Sequence, residues 1–326
     1  MTSPSIDLAP ERVQKRTPLS KVVAGKSTPR HQEISWKGEN KELSALEVCH
    51  NKILVGWSNG QVGIYSSVDL CCQIVLSYCM SPALVTCLQC TCTEIIVGYS
   101  DGNICVWNLE KRSVEQTLAV GESSDHAISM QWRDPKLVVL VGSGKSTVEI
   151  WQYLSSCFTL LGSWDRNNIM IRHIDCNENY VVLQPHPMVS RCAYTKYLNG
   201  QEVNSIRPPP GKTICMPQYE NYLITAGMDA VIKIWDIRTG TCLRDLKGHE
   251  ASINAFGADA DIIASCDQSG WIILWSAKGA LEGKEAKLGR FMQPIFQTAS
   301  HVKLGLNFVA ASQVGLSYIV VMDFPA

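Results

Sequence analysis

The segment most suggestive of chemistry is a glycine-rich run that looks like the end of a phosphate-binding loop, Gly142-Ser143-Gly144-Lys145-Ser146-Thr147. Such a loop needs another glycine five residues before its second one. It also needs a following helix, because the N–H groups at the helix N-terminus hold the anion. Val139 occupies the glycine position, and a strand-like run follows. We therefore expect no nucleotide site here, and the similar run Ala24–Thr28 has the same defect.

A cluster of cysteines is the second candidate site, since Cys87-Leu88-Gln89-Cys90-Thr91-Cys92 places three thiols within six residues. A structural zinc ion normally needs paired cysteines together with a second pair of cysteines or histidines. The sequence shows no metal-binding pair of histidines, and Cys87 aligns with Ala255, where a small apolar side chain suits an inner strand. We interpret these cysteines as structural thiols and expect no metal and no cofactor.

Patterns for nucleophilic catalysis are missing from the sequence. It contains no Gly-x-Ser-x-Gly elbow, and its seven histidines are scattered. We therefore expect a protein that is not an enzyme. Catalytic groups converge in space rather than in sequence, so an enzyme with a site not visible in the sequence is kept as an alternative.

The overall composition favours a folded protein without a nucleic-acid or membrane partner. The 326 residues carry a formal net charge of −1, whereas a nucleic-acid binder normally has a clear basic excess. The longest apolar runs reach about five residues, and a membrane-spanning helix needs roughly 20. The N-terminus has no apolar core of a signal peptide. The fourteen cysteines are therefore expected as reduced thiols in the cytoplasm or nucleus.

An internal repeat must position whatever site the chain has. A β-rich run ending in a small residue, a short polar turn and a second β-rich run ending in an aromatic residue recur along the chain. The gaps between the closing aromatic residues are 42, 44, 84 and 40 residues, for Tyr65, Trp107, Trp151, Trp235 and Trp275. The long gap predicts a weak copy closed by Tyr194, and a final copy ends at Met322-Asp323.

Seven copies of about 42 residues, each with room for four strands and without a helical period, are typical of propeller blades. The last copy ends at its third strand, and residues 31–36 can supply the missing outer strand. The sequence thus predicts an all-β fold, a seven-bladed β-propeller over residues 31–326, closed by the N-terminal strand pairing into the last blade. Residues 1–30 are predicted to form a disordered basic tail.

The repeat resembles the WD-repeat (β-transducin repeat) family. The motifs that carry the resemblance are Ile234-Trp235-Asp236, Val106-Trp107-Asn108, Ile150-Trp151-Gln152, Leu274-Trp275-Ser276, Asp101-Gly102 and Gly248-His249. The resemblance implies a scaffold for protein–protein contacts. It also implies a His–Ser/Thr–Asp–Trp hydrogen-bond set within a blade. Ser269 replaces the turn aspartate before Trp275, so we expect no blade to contain the full set.

Residues eight positions before each closing residue are expected on one rim of the ring, which in this family often receives partners. They include Trp57, Tyr99, His186 and Asp267. Trp57 and Tyr99 fall on adjacent blades, and large aromatic side chains exposed at a rim are typical anchors of an interface. We expect these four residues to bind a protein or peptide. The alternative is that each aromatic ring packs over its own blade.

The segment ending in Trp235-Asp236-Ile237-Arg238 resembles the sixteen-residue box of WD-repeat substrate receptors in cullin–RING ubiquitin ligases. The resemblance implies that Asp236 and Arg238 contact the ligase adaptor on the opposite rim. The alternative is that these residues form an ordinary turn.

In the basic tail, Thr17 and Thr28 each precede a proline. They are candidate phosphosites, because a phosphate adds roughly −2 charge beside several cations. The alternative is that the tail is only a solvated leader segment.

Overall fold

The chain folds into short antiparallel strands, because runs rich in Val, Ile and aromatic residues alternate with turns rich in Gly, Asn and Asp. The described strands form seven four-stranded sheets, which confirms the all-β class. The computed structural model describes residues 29–36, 41–49, 51–77, 83–91, 93–120, 127–133, 135–141, 147–154, 157–165, 171–177, 179–185, 193–197, 202–206, 211–215, 221–259, 261–284, 286–292, 299–305, 308–312 and 318–323.

The first three sheets each contain four consecutive strands paired in sequence order. Sheet 1 consists of β2 (Leu43–Cys49), β3 (Lys52–Trp57), β4 (Gln61–Ser66) and β5 (Cys72–Ser77). Sheet 2 consists of β6 (Val85–Cys90), β7 (Glu94–Tyr99), β8 (Asn103–Asn108) and β9 (Ser113–Ala119). Sheet 3 consists of β10 (Ala127–Arg133), β11 (Lys136–Val141), β12 (Thr147–Leu154) and β13 (Cys157–Asp165).

The next three sheets repeat this order. Sheet 4 consists of β14 (Ile171–Cys176), β15 (Tyr180–Pro185), β16 (Ala193–Tyr197) and β17 (Glu202–Ile206). Sheet 5 consists of β18 (Gly211–Cys215), β19 (Tyr222–Gly227), β20 (Val231–Asp236) and β21 (Cys242–Lys247). Sheet 6 consists of β22 (Ile253–Ala258), β23 (Ile262–Asp267), β24 (Trp271–Ser276) and β25 (Lys287–Met292).

The seventh sheet joins the two ends of the described chain. Its strands are β26 (His301–Leu304), β27 (Phe308–Ser312), β28 (Tyr318–Asp323) and β1 (Arg30–Ser35). Strand β1 lies antiparallel to β28, with Arg30 opposite Asp323 and Ser35 opposite Tyr318. The outer strand of this sheet therefore comes from the N-terminal segment, within one residue of the span that the sequence indicated.

In the first six sheets, the closing residue of the repeat is marked by a register shift between the third and fourth strands. The shift falls at Tyr65, Trp107, Trp151, Trp235 and Trp275. In sheet 4 it falls at Lys196, which lies opposite Val181 just as Trp151 lies opposite Leu137. The prediction that Tyr194 closes this copy is wrong. A search for aromatic residues cannot find a repeat in which lysine takes the closing position.

Apolar side chains fill the space between consecutive sheets. Leu54 of sheet 1 packs with Val85 of sheet 2, and Phe308 of sheet 7 packs with Ile53 of sheet 1. The first strand of each sheet, here called the innermost strand, contacts the first strand of the next sheet. The series ends where β26 of sheet 7 contacts β2 of sheet 1. Full burial of each such side chain contributes about 1.5–3 kcal/mol. This packing is consistent with a WD40 β-propeller.

A short helix interrupts sheet 6, although the sequence predicted none. Helix α1 (Ala277–Glu282) lies between β24 and β25. The Ser276 side chain caps it by accepting the backbone N–H of Gly279 at 3.0 Å, and Gly283 ends it with a φ of 74°. Ala280 packs against the apolar cluster between sheets 5 and 6. Nowhere in the described ranges does a helix have the length and apolarity needed to cross a bilayer.

Candidate partner-binding surfaces

The described turns between the second and third strands lie at one edge of their sheets, here named the turn rim. Its described turns are residues 58–60, 100–102, 228–230 and 268–270. In each turn the last residue donates its backbone N–H to the last residue of the preceding strand, as Gly60 does to Trp57 at 3.1 Å. The final residue of the turn has a positive φ, which is 82° at Gly60 and 60° at Ala230. Glycine suits this conformation, and alanine is strained in it.

Serine residues tie the turn rim to the loops that enter the sheets. Ser58 Oγ accepts the backbone N–H of Glu42 at 3.2 Å, and Ser100 Oγ accepts that of Leu84 at 3.1 Å. The same loop residues accept backbone N–H groups in return, from Ser58 at 2.9 Å and from Ser100 at 3.0 Å. Paired hydrogen bonds of this kind fix the backbone, so the turn rim is a preorganised surface.

Trp57 lies at the start of the turn rim but not on its surface. Its side chain is 1 % exposed. The indole packs edge-on to Trp36 at 5.7 Å and to Tyr65 at 6.5 Å between ring centroids, while Lys41 Nζ lies 4.6 Å from its centroid. A Cβ at Gly63 would overlap the same ring. The expectation of an exposed anchor is wrong, because the indole folds back over its own sheet.

Tyr99, the equivalent residue of sheet 2, is also buried. It is 0 % exposed and packs in the apolar cluster between sheets 1 and 2, beside Ala83 and Val85. The expectation that its ring stands free at the rim is wrong for the same physical reason. A large ring at the end of a second strand removes more apolar surface from water when it packs inward than when it stands at the rim, and this burial is favourable.

Asp267 belongs to a buried hydrogen-bond set in sheet 6. Its Oδ2 lies 2.8 Å from His249 Nδ1, and His249 Nε2 lies 2.7 Å from Ser265 Oγ. Trp275 Nε1 donates to the same Ser265 oxygen at 2.9 Å. Sheet 6 therefore contains the full His–Ser–Asp–Trp set that the sequence appeared to lack. Asp267 was also expected to contact a partner at the rim, but it is 0 % exposed, so that expectation is wrong.

The aspartate of this set was missed because it comes from the end of β23 rather than from the turn. Asp267 Oδ1 meanwhile accepts the backbone N–H groups of Ser269 at 2.9 Å and Trp271 at 3.0 Å, which fixes the turn. Burial lowers the pKa of the His249 imidazole, and the Asp267 carboxylate opposes that shift. The Nδ1–Asp267 and Nε2–Ser265 contacts hold the ring in one orientation.

Two exposed apolar side chains stand at the turn rim instead of the aromatic rings. Met228 in the turn of sheet 5 is 70 % exposed, and Leu84 beside the turn of sheet 2 is 41 % exposed. The carbonyl of Met228 accepts the Ser252 hydroxyl at 3.3 Å, which ties its backbone to the loop before sheet 6. Neither residue lies eight positions before a closing residue, so the sequence analysis missed both. His186, the remaining predicted rim residue, lies outside the described residues.

The turn after β20 presents Arg238 on the opposite edge of sheet 5. The Asp236 carboxylate accepts the backbone N–H groups of Arg238 at 2.7 Å and Thr239 at 3.0 Å, so it shapes this turn. Arg238 is exposed, and its Nε donates to the Tyr180 hydroxyl of sheet 4 at 3.4 Å. The structure thus brings Asp236 and Arg238 together, with Asp236 holding the turn that carries the guanidinium. Thr17 and Thr28 lie outside the described residues.

The cysteine cluster is described only in part, since Cys92 lies outside the described residues. Cys87 lies on β6, and burial raises the pKa of its thiol to about 12. Within the described ranges, no group of three or more His, Cys, Asp or Glu side chains could hold a metal ion. Thr147 begins strand β12, so a strand follows the glycine-rich run. Residues 142–146 of the run itself lie outside the described residues.

A polar contact links the innermost strands of three sheets. Lys303 Nζ of β26 lies 2.7 Å from Glu47 Oε2 of β2, and Gln89 Nε2 of β6 donates to the same oxygen at 3.3 Å. Burial acts against the Lys303 charge, but the Glu47 carboxylate together with Asp175 and Cys90 outweighs it, so the pKa of Lys303 is raised. Sheets 7, 1 and 2 are thereby connected at their inner edges by charge as well as by apolar packing.

Comparison with known proteins gives matches to two family models. A WD40 repeated domain matches residues 19–130, and a WD domain, G-beta repeat, matches residues 191–236 and 240–276. The matched ranges include sheets 1 and 2 and most of sheets 5 and 6, where the closing tryptophans are clearest.

Curated relatives match this chain at low identity. The p21-activated protein kinase-interacting protein 1-like of Xenopus laevis is 25 % identical over 189 residues, covering 56 % of this chain and 50 % of the relative. The protein of the same name from Danio rerio is 21 % identical over 207 residues, covering 59 % and 52 %. The probable E3 ubiquitin ligase complex SCF subunit sconB of Aspergillus terreus is 34 % identical over 64 residues, or 18 % and 10 %. The matches to the two kinase-interacting relatives span about half of their length.

Proposed function

Because the chain belongs to the WD-repeat family, we propose that it is a seven-bladed propeller that holds protein partners on its turn rim. Proteins with WD40 repeats serve as protein–protein interaction scaffolds and are generally not enzymes. One relative is named for its interaction with a protein kinase, which favours binding over catalysis for this chain too.

Closure of the ring by β1 is part of the proposal. It is supported by the pairing of β1 with β28 and by the contact between β26 and β2. The cluster that joins Phe308 to Ile53 supports it as well. A blade buries its sheet faces only against its neighbours, so closure leaves no apolar face at the ends of the array.

The mechanism of the scaffold is rigid display. Partner binding costs free energy wherever loops must be ordered. The turn rim avoids most of that cost, since its turns are fixed by hydrogen bonds such as those of Ser58 and Ser100. The observation that carries the proposal is the exposure of Met228, 70 %, on a turn whose backbone is tied to Ser252. An exposed, adaptable thioether on a fixed turn suits an apolar partner side chain.

The proposal is tested by capturing partners with the wild-type protein and with a Met228→Ser variant, followed by direct binding of the purified partner. We expect the affinity to fall by roughly tenfold, about 1.4 kcal/mol, without a change in melting temperature. Val68 is the control residue, since it is 80 % exposed in the turn between β4 and β5 at the opposite edge. Unchanged affinity of the Met228→Ser variant, or equal loss for Val68→Ser, would exclude the turn rim of sheet 5.

A second candidate function is that of a substrate receptor in a cullin–RING ubiquitin ligase. The exposed Arg238 on the turn shaped by Asp236 supports it, as does the short match to a protein named as an SCF ligase subunit. A guanidinium on a fixed turn suits bidentate contact with a carboxylate of an adaptor.

The ligase proposal is tested by co-purification of adaptor and cullin with the wild-type protein and with an Arg238→Ala variant. Loss of both proteins from the variant supports the proposal. Arg112→Ala, which changes an exposed arginine in the corresponding turn between β8 and β9 of sheet 2, is the matched control. Failure of the wild-type protein to retain the adaptor contradicts the proposal.

We place the protein in the cytoplasm or nucleus as part of the same proposal. Ten cysteines in the described part of the chain are free thiols, and free thiols persist in reducing compartments. Imaging of the tagged protein tests the placement, and a secreted, disulfide-bonded product would contradict it.

A further inference from the structure

Three cations, Arg244, Lys287 and Arg290, lie between the outer strands of sheets 5 and 6, in a region here named the outer groove. Its first wall is β21. Arg244 pairs with Ile234 and Leu246 pairs with Ile232, and these three apolar residues lie in the cluster between the two sheets. Arg244 therefore faces sheet 6. A Cβ at Gly283, after helix α1, would lie 2.6 Å from its guanidinium Nη2.

The second wall is β25, and its cations face sheet 5. Lys287 pairs with Trp275 and Arg290 pairs with Ile273, and both partners belong to the cluster that faces sheet 5. Lys287 Nζ lies 3.5 Å from where a Cβ of Gly248, just after β21, would stand. The outer groove thus receives cations from both of its walls.

Acidic side chains neutralise only part of this charge. Glu250 pairs with Arg290 at 2.8 Å, and Glu282 pairs with Lys284 at 2.7 Å. In the part of the chain that the structure describes, Arg244 and Lys287 have no acidic group at ion-pair distance, and both are exposed. Cations that face one groove from both walls without counter-charges attract an incoming anion.

We propose that the outer groove binds an acidic segment of a protein partner, with Asp or Glu carboxylates on Arg244 and Lys287. This site is separate from the turn rim, and it does not depend on the proposed rim function. Recognition of acidic motifs by clustered cations is an established mode of peptide binding.

A peptide suits the outer groove better than a nucleic acid does. Proteins that bind single-stranded nucleic acids offer exposed aromatic faces on which bases stack. The two aromatic rings of this region are not available, since Arg290 covers Trp271 at 4.2 Å and Trp275 is 2 % exposed. The remaining contacts are ionic, and carboxylates on a flexible peptide can satisfy them.

The test is fluorescence anisotropy with a labelled polyglutamate peptide of roughly eight residues. A polyglutamine peptide of equal length and a short RNA serve as comparison probes. We expect saturable binding of polyglutamate that weakens as NaCl rises from about 50 to 300 mM, because salt screens exposed charges. Polyglutamine is expected not to bind.

Variants of the whole chain assign the binding to the outer groove. Arg244→Glu with Lys287→Glu is expected to weaken polyglutamate binding at least about tenfold, whereas Lys52→Glu on sheet 1 leaves it unchanged. Arg244→Gln with Lys287→Gln repeats the test with less disturbance of helix α1, and thermal unfolding verifies that each variant folds. The proposal is overturned if polyglutamate does not bind, if Lys52→Glu weakens it equally, or if RNA alone shows the groove-dependent binding.

Discussion

His249 Nδ1 lies 2.8 Å from Asp267 Oδ2, and both side chains are sealed from solvent in sheet 6. The pair links the loop after β21 to the end of β23, and Ser265 extends it to Trp275. One hydrogen-bond set therefore fixes the position of sheet 6 relative to the loop that enters it. Leaving one of its groups buried without a partner costs about 1–3 kcal/mol.

The pH dependence of folding should report this set. The folded-state pKa of His249 is lowered from its ordinary value of 6.5, so the unfolded chain binds a proton that the folded chain resists. The free energy of unfolding should therefore fall as the pH drops from about 7.5 to 5.5. Urea titrations at several pH values measure this, and a His249→Gln variant should show a flatter slope of unfolding free energy against pH over that range. Equal slopes for the wild type and the His249 variant would contradict the prediction.

Replacement of Trp57 should act on stability. The indole is buried against Trp36, Tyr65 and Gly63, so Trp57→Ala is expected to cost about 3–5 kcal/mol. Chemical denaturation measures the loss. Leu84→Ala, at the same rim but 41 % exposed, should cost far less. A Trp57→Ala protein as stable as the wild type would mean that the ring is not packed as described.

Ala230 offers a site for stabilisation. Its φ is 60°, in the left-handed region that equivalent residues Gly60, Gly102 and Gly270 occupy without strain. Ala230→Gly should remove about 1 kcal/mol of strain, reduced by the greater freedom of glycine in the unfolded chain. The melting temperature should therefore stay equal or rise slightly. Ala226→Gly in strand β19 is the control and should lower it, since Ala226 is buried in regular backbone. A clear drop for Ala230→Gly would contradict the account of this turn.

The contact between Lys303 and Glu47 should appear as coupling across two sheets. A double-mutant cycle with Lys303→Met and Glu47→Gln isolates it. Both side chains are partly shielded, 32 % and 15 % exposed, so we expect a coupling of about 1 kcal/mol that decreases modestly with salt. The pair Lys111–Glu115, whose lysine side chain is 69 % exposed, serves as the comparison and should give less. Zero coupling for Lys303 and Glu47 would remove this link between the sheets.

The sequence predicted the all-β class and the strand that pairs with β28, because a repeat multiplies a weak local signal. Val106-Trp107 and Ile234-Trp235 have the same hydrophobic pattern and the same register shift in the structure. Where a copy lacks the aromatic residue, as at Lys196, spacing alone chose the wrong position. In that copy, the β-rich run of strand β15 is the sequence feature that marks the repeat.

The candidate site was harder to predict, because side-chain direction is not a property of spacing. Trp57 and Tyr99 were placed at the correct strand ends, but their rings turn inward. Asp267 reaches His249 from two residues before the expected turn position. Met228 and the cations of the outer groove become visible only when exposure and the faces of neighbouring strands are known.

Closure by β1 is the central claim, and deletion of residues 30–37 tests it most directly. Ile34 is buried and lies opposite Ile319 on β28, so removing the strand exposes the apolar edge of sheet 7. Calorimetry of the deleted protein should show a melting temperature lower by about 10 °C or more, with faster hydrogen exchange in β28. A deleted protein that melts cooperatively at the wild-type temperature, with β28 still protected, would contradict the account.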